Sequence, residues 1–231
     1  DQIIKGQQPG GGWDYHYEKG ARWDTSVSGW QVQALKAAYV AGCTNLELSK
    51  ALEKATRFLK NTAFQTGGGF NYASAKKHQW DSKMPGIGAL ALQLTGERDS
   101  PEAIAGTTHV LRQKIPTWED AHENWHEAAY HYLYSWYYET QAVFQHTRGQ
   151  GSDWKRWNTL FQGALIRNQH SAGYWTHKEF HGIGGETLSG KVIATAFSCL
   201  QLEVYYRYLP TFDIVKGGIA KVEGLGEGTG N

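Results

Sequence analysis

Apolar residues recur with helical spacing in several stretches of this chain. The stretches alternate between ones that are apolar on nearly every side and ones that are apolar on one face. Residues 26–42 (SVSGWQVQALKAAYVAG) are apolar on nearly every side. The next stretch places Leu48, Leu52 and Leu59 on one face and sets its charged residues elsewhere. A helix that is apolar all round is buried, whereas an amphipathic helix lies at the surface. The pair therefore predicts an inner helix followed by an outer helix.

The same alternation of inner and outer helices continues to the fourth apolar stretch. The further helices are predicted over 84–96 (inner), from Ser100-Pro101 (outer), over 128–145 (inner), 152–169 (outer) and 191–209 (inner). Proline at the first position of a helix supports the start at Pro101. We therefore expect about four helical hairpins, the last of them stopping at Pro210.

Polar residues mark the expected helix ends. Asp24 is placed to cap the first inner helix, since its carboxylate can accept from free backbone N–H groups. Gly42 is a stop signal for that helix. Thr44 to Glu47 match a capping box, which predicts the start of the outer helix there.

A longer repeat underlies the helical pairs. Residues 10–25 (GGGWDYHYEKGARWDT) return as residues 67–82 (GGGFNYASAKKHQWDS), with Asp24 matched by Asp81. A glutamine also precedes an aromatic residue by five or six positions at each outer-helix end; these pairs are Gln8 and Trp13, Gln65 and Phe70, Gln113 and Trp118, and Gln169 and Trp175. A period near 50 residues indicates hairpins that bury their apolar faces by stacking on their neighbours.

These patterns predict an all-α fold. We expect one repeat domain over residues 1–210, with its first hairpin truncated, and a glycine-rich tail or linker over 211–231. The chain opens at Asp1 without an initiator methionine, so we expect a processed form or a fragment, with other domains of a longer chain as partners.

The composition excludes several classes of function. The 231 residues include 10 Trp, 13 Tyr and 8 Phe, which suits a large aromatic core. A formal net charge of +1 gives no indication of nucleic-acid binding. No apolar run approaches the ~20 residues that cross a bilayer. Cys43 and Cys199 are too few for a disulfide framework or a four-ligand zinc site, so the compartment stays open.

Two segments carry the pattern Gln-x3-Gly-x-Trp. They are Gln169 to Trp175 and Gln7 to Trp13, and GGGF at 67–70 is a degenerate copy. The chain thereby resembles the prenyltransferase and squalene-oxidase repeat family, which includes squalene–hopene cyclases and the β-subunits of protein prenyltransferases. The resemblance implies an α/α toroid, with inner helices around a central cavity, and implies that these "QW" residues tie helix ends together. A closed ring in that family uses six hairpins, so about four leave the ring open or completed by another segment.

The catalytic motifs of that family do not recur in this sequence. Neither the Asp-x-Asp-Asp acid motif of the cyclases nor Asp-Asp-x-x-Asp of prenyl synthases is present. Cys199 has no Asp or His beside it in sequence to form the zinc site of protein prenyltransferases, and neither cysteine lies in Cys-Gly-Glu-Gln. The resemblance thus predicts the fold of that family but none of its known reactions.

A metal site is one candidate chemistry. His122 and His126 flank Glu123 in an H-E-x-x-H pattern, which on a helix lets both imidazoles bind one zinc with the glutamate as general base. His131 or Glu139 would be a third ligand. The alternative is that these polar residues cap the start of an inner helix.

Aromatic residues crowd the third inner helix and give a second candidate site. We expect Trp136, Tyr137 and Tyr138, with Trp30, to line a cavity for an apolar ligand, and Asp24 and Asp81 to lie at one mouth of the toroid. Core packing and helix capping are the alternative roles of these residues. Glu139, which follows the rings, is a candidate acid because a carboxyl in such surroundings has a raised pKa.

The sequence therefore predicts a non-catalytic binding or scaffold module, whose partner is a hydrophobic small molecule or a protein segment. Two alternatives stay open. One is an enzyme that acts on an isoprenoid or other apolar substrate, with Glu139 or Glu123 as the catalytic group. The other is a zinc-dependent hydrolase through His122, Glu123 and His126; zinc is the sole cofactor that the pattern suggests.

Overall fold

The computed structural model describes residues 1–74, 84–113, 118, 132–176, 179–180 and 183–206. Its α-helices in that part are α1 (Gln2–Gly6), α2 (Thr25–Val40), α3 (Leu48–Phe58), α4 (Met84–Leu94), α5 (Pro101–Arg112), α6 (Tyr132–Thr147), α7 (Gly151–Arg167) and α8 (Leu188–Leu202). The protein is mostly helical, which confirms the all-α prediction. The predicted tail over 211–231 lies outside the described residues.

Short elements join these helices. A π-helical turn (Leu59–Ala63) extends α3, and a 3-10 turn (Glu203–Tyr206) follows α8. Two antiparallel two-residue ladders pair β1 (Phe64–Gln65) with β2 (Gly69–Phe70), and β3 (Glu179–Phe180) with β4 (Ile183–Gly184). In the first ladder Phe64 is opposite Phe70.

The inner helices pack side by side in chain order. Contacts run from α2 to α4, from α4 to α6 and from α6 to α8. On this row, α3 packs against α2, α5 against α4 and α6, and α7 against α6. Every residue of α4 is buried, whereas α3 exposes Lys50, Glu53 and Arg57. Among the described helices, α3, α5 and α7 thus lie on a row formed by α2, α4, α6 and α8.

Two of the predicted helix caps are found. Asp24 Oδ1 accepts from the backbone N of Val27 at 3.0 Å, and Ser100 Oγ accepts from Ala103 N at 3.3 Å, with Pro101 first in α5. A further cap, which the sequence did not predict, lies at the start of α8, where Thr187 Oγ1 accepts from Gly190 N at 3.1 Å. Asp81, the repeat partner of Asp24, lies outside the described residues.

Two predicted boundaries are wrong. The capping box from Thr44 to Glu47 does not form, because Asn45 Oδ1 accepts from Glu47 N at 2.9 Å and α3 begins only at Leu48. Asparagine readily bonds the backbone two residues ahead, and that turn competes with the helical cap. The helix α8 ends at Leu202 and continues as a 3-10 turn, before the expected stop at Pro210.

The core has two apolar clusters that share α6. The first unites α2, α3 and α4 with Trp13, Phe58 and Phe70, and receives Tyr138 from α6. The second unites α6, α7 and α8 around Trp157 and receives Trp136. Trp136 and Tyr138 thus enter different clusters, because residues two positions apart lie about 200° apart around a helix axis. No helix among the described segments has the length and apolar character needed to span a bilayer.

Candidate binding site

The two QW segments share two hydrogen bonds, one from the tryptophan and one from the glutamine. Trp13 Nε1 donates to Ile3 O at 2.7 Å, and Gln7 Nε2 donates to Gly11 O at 2.8 Å and to Ala51 O in α3 at 2.8 Å. In the second segment Trp175 Nε1 donates to Leu165 O at 2.8 Å and Gln169 Nε2 to Gly173 O at 3.0 Å. Each indole therefore satisfies a carbonyl ten residues upstream, near the end of the preceding helix.

Each tryptophan is also tied to the helix that follows it. Trp13 N donates to Ser28 Oγ in α2 at 2.9 Å, and Trp175 N donates to Thr195 Oγ1 in α8 at 3.1 Å. Both indoles are buried. Trp13 and Trp175 thus each connect the helix before them to the helix after them.

Copies of the repeated loop lie against each other. Thr25 N donates to Tyr72 O at 2.8 Å, and Thr25 Oγ1 donates to Asn71 O at 2.6 Å. The hydroxyls of the equivalent residues Tyr15 and Tyr72 are 3.4 Å apart. Asp24, near the end of the first loop, forms isolated bridges to Trp13 in its own loop and to Ala73 in the second. The loops therefore hold consecutive repeats in register.

Asp24 is fully buried at this joint. Its Oδ1 accepts from Ser26 Oγ at 2.6 Å in addition to the bond from Val27 N. These bonds belong to the cap of α2, so the structure supports the capping role. The proposed ligand contact at a toroid mouth stays a prediction for Asp24, and for Asp81 outside the described residues.

Aromatic side chains from α2, α6 and α8 meet in one cluster. Trp30 stacks on Tyr137, with ring centroids 5.7 Å apart and planes 17° apart, and meets Tyr138 edge-on at 5.6 Å. Tyr134 and Phe197 complete the cluster, with their ring centroids 5.7 Å apart. Tyr137 OH donates to Gln33 Oε1 at 3.0 Å. The sequence had indicated Trp30, Tyr137 and Tyr138, but not Phe197 or Gln33, which no local pattern distinguishes.

The rings of the cluster differ sharply in exposure. Tyr137 and Tyr138 are 4% and 1% exposed, whereas Trp30 is 39% exposed. The tyrosines pack against each other at 4.9 Å, so they fill the space between α2 and α6. An apolar ligand can therefore reach Trp30 from solvent, while the two tyrosines support the indole from beneath.

Burial makes the phenols of Tyr134 and Tyr138 weaker acids. It raises the pKa of Tyr134 to about 12, against hydrogen bonds from neighbouring side chains that lower it. Burial also raises the pKa of Tyr138 well above its usual value. Both hydroxyls are therefore protonated at neutral pH.

Trp136 does not join this cluster. It is 1% exposed and belongs to the second core cluster, with Trp157 and Phe161 of α7. Because it faces the outer layer while Tyr137 and Tyr138 face α2, the structure does not bring it together with Trp30. Its predicted ligand contact stays untested.

Glu139 is 7% exposed and lies against Gly86 of α4. A Cβ atom added at Gly86 would come within 2.7 Å of Glu139 Cγ, so the glycine leaves the space that this side chain occupies. Burial raises the pKa of Glu139 to about 8. The carboxyl is therefore mostly protonated at neutral pH and can donate a proton or a hydrogen bond. Gly86 was not indicated by the sequence.

The metal-site residues His122, Glu123 and His126 lie outside the described residues, as does His131. Within the described ranges, no three His, Cys, Asp or Glu side chains are grouped to hold a metal ion. The zinc hypothesis therefore stays a prediction from the sequence.

Comparison of the chain with protein-family models, with curated proteins and with solved structures finds no match. The family resemblance thus remains a prediction that depends on the QW motifs and the repeat.

Proposed function

We propose that this protein is a non-catalytic binding or scaffold module that holds an apolar group on the surface of Trp30. The proposal includes the architecture predicted from the family resemblance, an open α/α toroid of about four hairpins over residues 1–210. The proposed binding depends on one observation, which is that Trp30 is exposed while Tyr137 and Tyr138 beneath it are buried.

The contacts between helices support a curved row. The helix α4 lies between α2 and α6 and contacts both. Even so, Trp30 of α2 reaches Tyr137 of α6 directly, and Phe197 of α8 reaches the same tyrosine at 5.6 Å. Side chains of non-adjacent helices converge in this way when the row bends toward the side that carries them. The matching bonds of the two QW segments also favour a repeat of this type.

The physical chemistry of the cluster favours binding rather than catalysis. An indole that is held flat by a stacked ring offers a rigid apolar surface, which a ligand can cover at a low entropic cost. Close packing of Tyr137 and Tyr138 favours a ligand that lies on this surface over one in a deep cavity. An isoprenoid chain or an aliphatic side chain of a partner protein has the chemistry to cover it.

Farnesol titration by calorimetry tests the proposal. We expect the wild-type chain to bind farnesol, and Trp30→Ala to bind it at least tenfold more weakly, because the indole supplies the largest accessible apolar surface of the cluster. Leu160→Ala on the outer helix α7 is the matched control, since Leu160 is 43% exposed and remote in sequence from the cluster. Its affinity should equal that of the wild type.

Equal binding by Trp30→Ala and the wild type, or the absence of wild-type binding, would contradict the proposal. Circular dichroism of each variant establishes that the fold is intact. Stoichiometric zinc in untagged protein, lost in His126→Ala, would instead favour the hydrolase alternative.

Glu139 supports the second candidate, an enzyme that acts on an apolar substrate. A buried carboxyl with a pKa of about 8 is a proton donor at neutral pH, which is the property of a general acid. A structural role accounts for the same geometry, since Glu139 can serve as a neutral side chain that fills the space beside Gly86. The pH dependence described below establishes the protonation state on which the enzyme hypothesis depends.

A further inference from the structure

Lys36 is a buried lysine in the second half of α2. It is 4% exposed, although Ala34 and Ala37 beside it are exposed. Lysine is almost never buried to this extent unless a partner neutralises it. Its ammonium lies over the ring of Tyr39, with Nζ 5.6 Å from the centroid. Among the residues that the structure describes, no carboxylate forms an ion pair with Lys36.

A buried ammonium without a carboxylate partner is unfavourable. Burial removes the charge from water, and within the described segments no opposite charge offsets that loss. Burial accordingly lowers the pKa of Lys36, and no neighbouring charge contributes to the shift. The surroundings of Lys36 thus contain one positive charge that an anion would balance.

Gln33 has a second unpartnered donor, one turn earlier in α2. Its Oε1 accepts from Tyr137 OH at 3.0 Å, whereas its Nε2 is buried and has no hydrogen-bond partner in the described part of the chain. Burial raises the pKa of the nearby Tyr138, and the Gln33 amide opposes that rise, yet neither group has a partner at hydrogen-bonding geometry. Residues three apart on a helix lie on the same side, so Lys36 and Gln33 can donate to one acceptor group.

Gln33 also connects these donors to the aromatic cluster. Around the axis of α2 it lies between Trp30 and Lys36, about 60° from each. Tyr137, which donates to Gln33, is the ring on which Trp30 stacks. Ala34 is exposed next to both Trp30 and Gln33, and its small side chain leaves room for a ligand. A ligand on Trp30 can therefore place a polar end at Gln33 and Lys36.

We infer that Lys36 and Gln33 bind the carboxylate of a ligand whose apolar chain covers Trp30. The inference rests on the proposed function and deepens it, since it identifies the ligand class as a long-chain monocarboxylic acid. A carboxylate carries one negative charge, which balances the single charge of Lys36. A diphosphate carries more than one, and no further cation among the described residues acts on Lys36 to balance it.

Calorimetric titration with farnesoate and with farnesol tests the inference, because the two ligands share a chain and differ in the head group. We expect the wild type to bind one farnesoate about tenfold or more tightly than farnesol at neutral pH, since hydrogen bonds to a charged group are strong. Lys36→Met removes the charge from a side chain of similar length. It should bind both ligands with the wild-type affinity for farnesol.

Lys54→Met is the matched control for the loss of charge. Lys54 is exposed on the outer helix α3, so this variant should keep the wild-type preference for farnesoate. An equal loss of preference in Lys54→Met and Lys36→Met would show that the net charge of the protein, rather than a site at Lys36, attracts the ligand. That result would overturn the inference.

Gln33→Glu places a carboxylate of the protein itself beside Lys36. One of its oxygens replaces Nε2, while the other can still accept from Tyr137 OH. We expect this variant to bind farnesoate about tenfold or more weakly than the wild type, because the two carboxylates repel each other and compete for Lys36. Its affinity for farnesol should be unchanged. Wild-type affinity of Gln33→Glu for farnesoate would contradict the inference.

Urea denaturation of the unliganded proteins shows whether Lys36 already has a partner. Lys36→Met should unfold at the same urea concentration as the wild type or at a higher one, because an apolar side chain replaces a buried charge that lacks a partner. A markedly lower midpoint would show that the ammonium is neutralised within the protein. The carboxylate site would then be wrong.

This inference and the proposed function fail in different ways. Equal affinities of the wild type for farnesoate and farnesol, both reduced in Trp30→Ala, would overturn the carboxylate site and leave the proposed function standing. Farnesoate binding that requires Lys36 but is unaffected by Trp30→Ala would contradict the proposed role of Trp30 and leave the carboxylate site standing. Failure of the wild type to bind either ligand would overturn both.

Discussion

The side chain of Glu139 packs against Gly86, and it has room there only because Gly86 has no side chain. The carboxyl lies where a side chain at position 86 would otherwise be, and burial raises its pKa to about 8 from an ordinary value of 4.5. A carboxyl whose pKa is raised by folding stabilises the folded state fully below the unfolded pKa, and that contribution is lost as the pH rises through the folded pKa.

The substitution Glu139→Gln should remove a pH dependence of stability. Between pH 4.5 and about 8 the wild-type free energy of unfolding should fall by on the order of 5 kcal/mol through this group, at about 1.4 kcal/mol for each unit of pKa shift. Urea denaturation at pH 5 and pH 8.5 measures the change, and Glu139→Gln should show a correspondingly smaller fall.

Glu53→Gln is the control for this measurement, because Glu53 is exposed on α3. Its pH dependence should match that of the wild type. Parallel pH profiles for Glu139→Gln and the wild type would show that Glu139 ionises normally, and the general-acid hypothesis would then lose its basis.

At the scale of elements, each copy of the repeated loop has a glycine whose backbone lies against an outer helix, where a larger residue would not fit. Gly11 has a φ of 98°, and a Cβ atom there would lie 2.3 Å from Lys54 O in α3. Gly68, its repeat partner, has a φ of 91° and the same close approach to Ala105 O in α5. Each loop therefore presses its backbone against an outer helix.

Gly11→Ala should destabilise the protein by about 3 kcal/mol, because alanine is strained at this φ and its methyl group meets a backbone carbonyl. Gly10→Ala is the matched control, since nothing lies within 4 Å of a Cβ atom at that neighbouring position. We expect it to change the free energy of unfolding by less than about 0.5 kcal/mol. Equal effects of the two substitutions in urea denaturation would contradict the predicted contact.

At the scale of the whole molecule, we expect α6 to couple the unfolding of the two core clusters. It supplies Tyr138 to the first core cluster and Trp136 to the second, so neither cluster can lose its packing without disturbing this helix. Repeat proteins can unfold in steps when neighbouring repeats are weakly coupled. A shared central helix favours a single transition instead.

Leu52→Ala in the first cluster and Leu165→Ala in the second should each lower stability by about 2 to 5 kcal/mol, because both side chains are fully buried. Both should shift one common unfolding transition, followed by circular dichroism and by tryptophan fluorescence at equal protein concentration. Two transitions, each sensitive to one variant, would show that the clusters unfold separately.

The sequence by itself predicted an all-α chain, the position of most of its helices and the loops that join them. Hydrophobic periodicity and the repeated glycines and tryptophans are local signals, and they act through bonds over short separations such as Trp13 to Ile3. Tertiary structure decided what depends on distant residues. It set Trp30 against Tyr137, turned Trp136 away to the outer layer, and buried Glu139 beside Gly86. Contacts between residues so far apart in sequence depend on the rotation and crossing angles of the helices, and a local sequence pattern does not predict those angles.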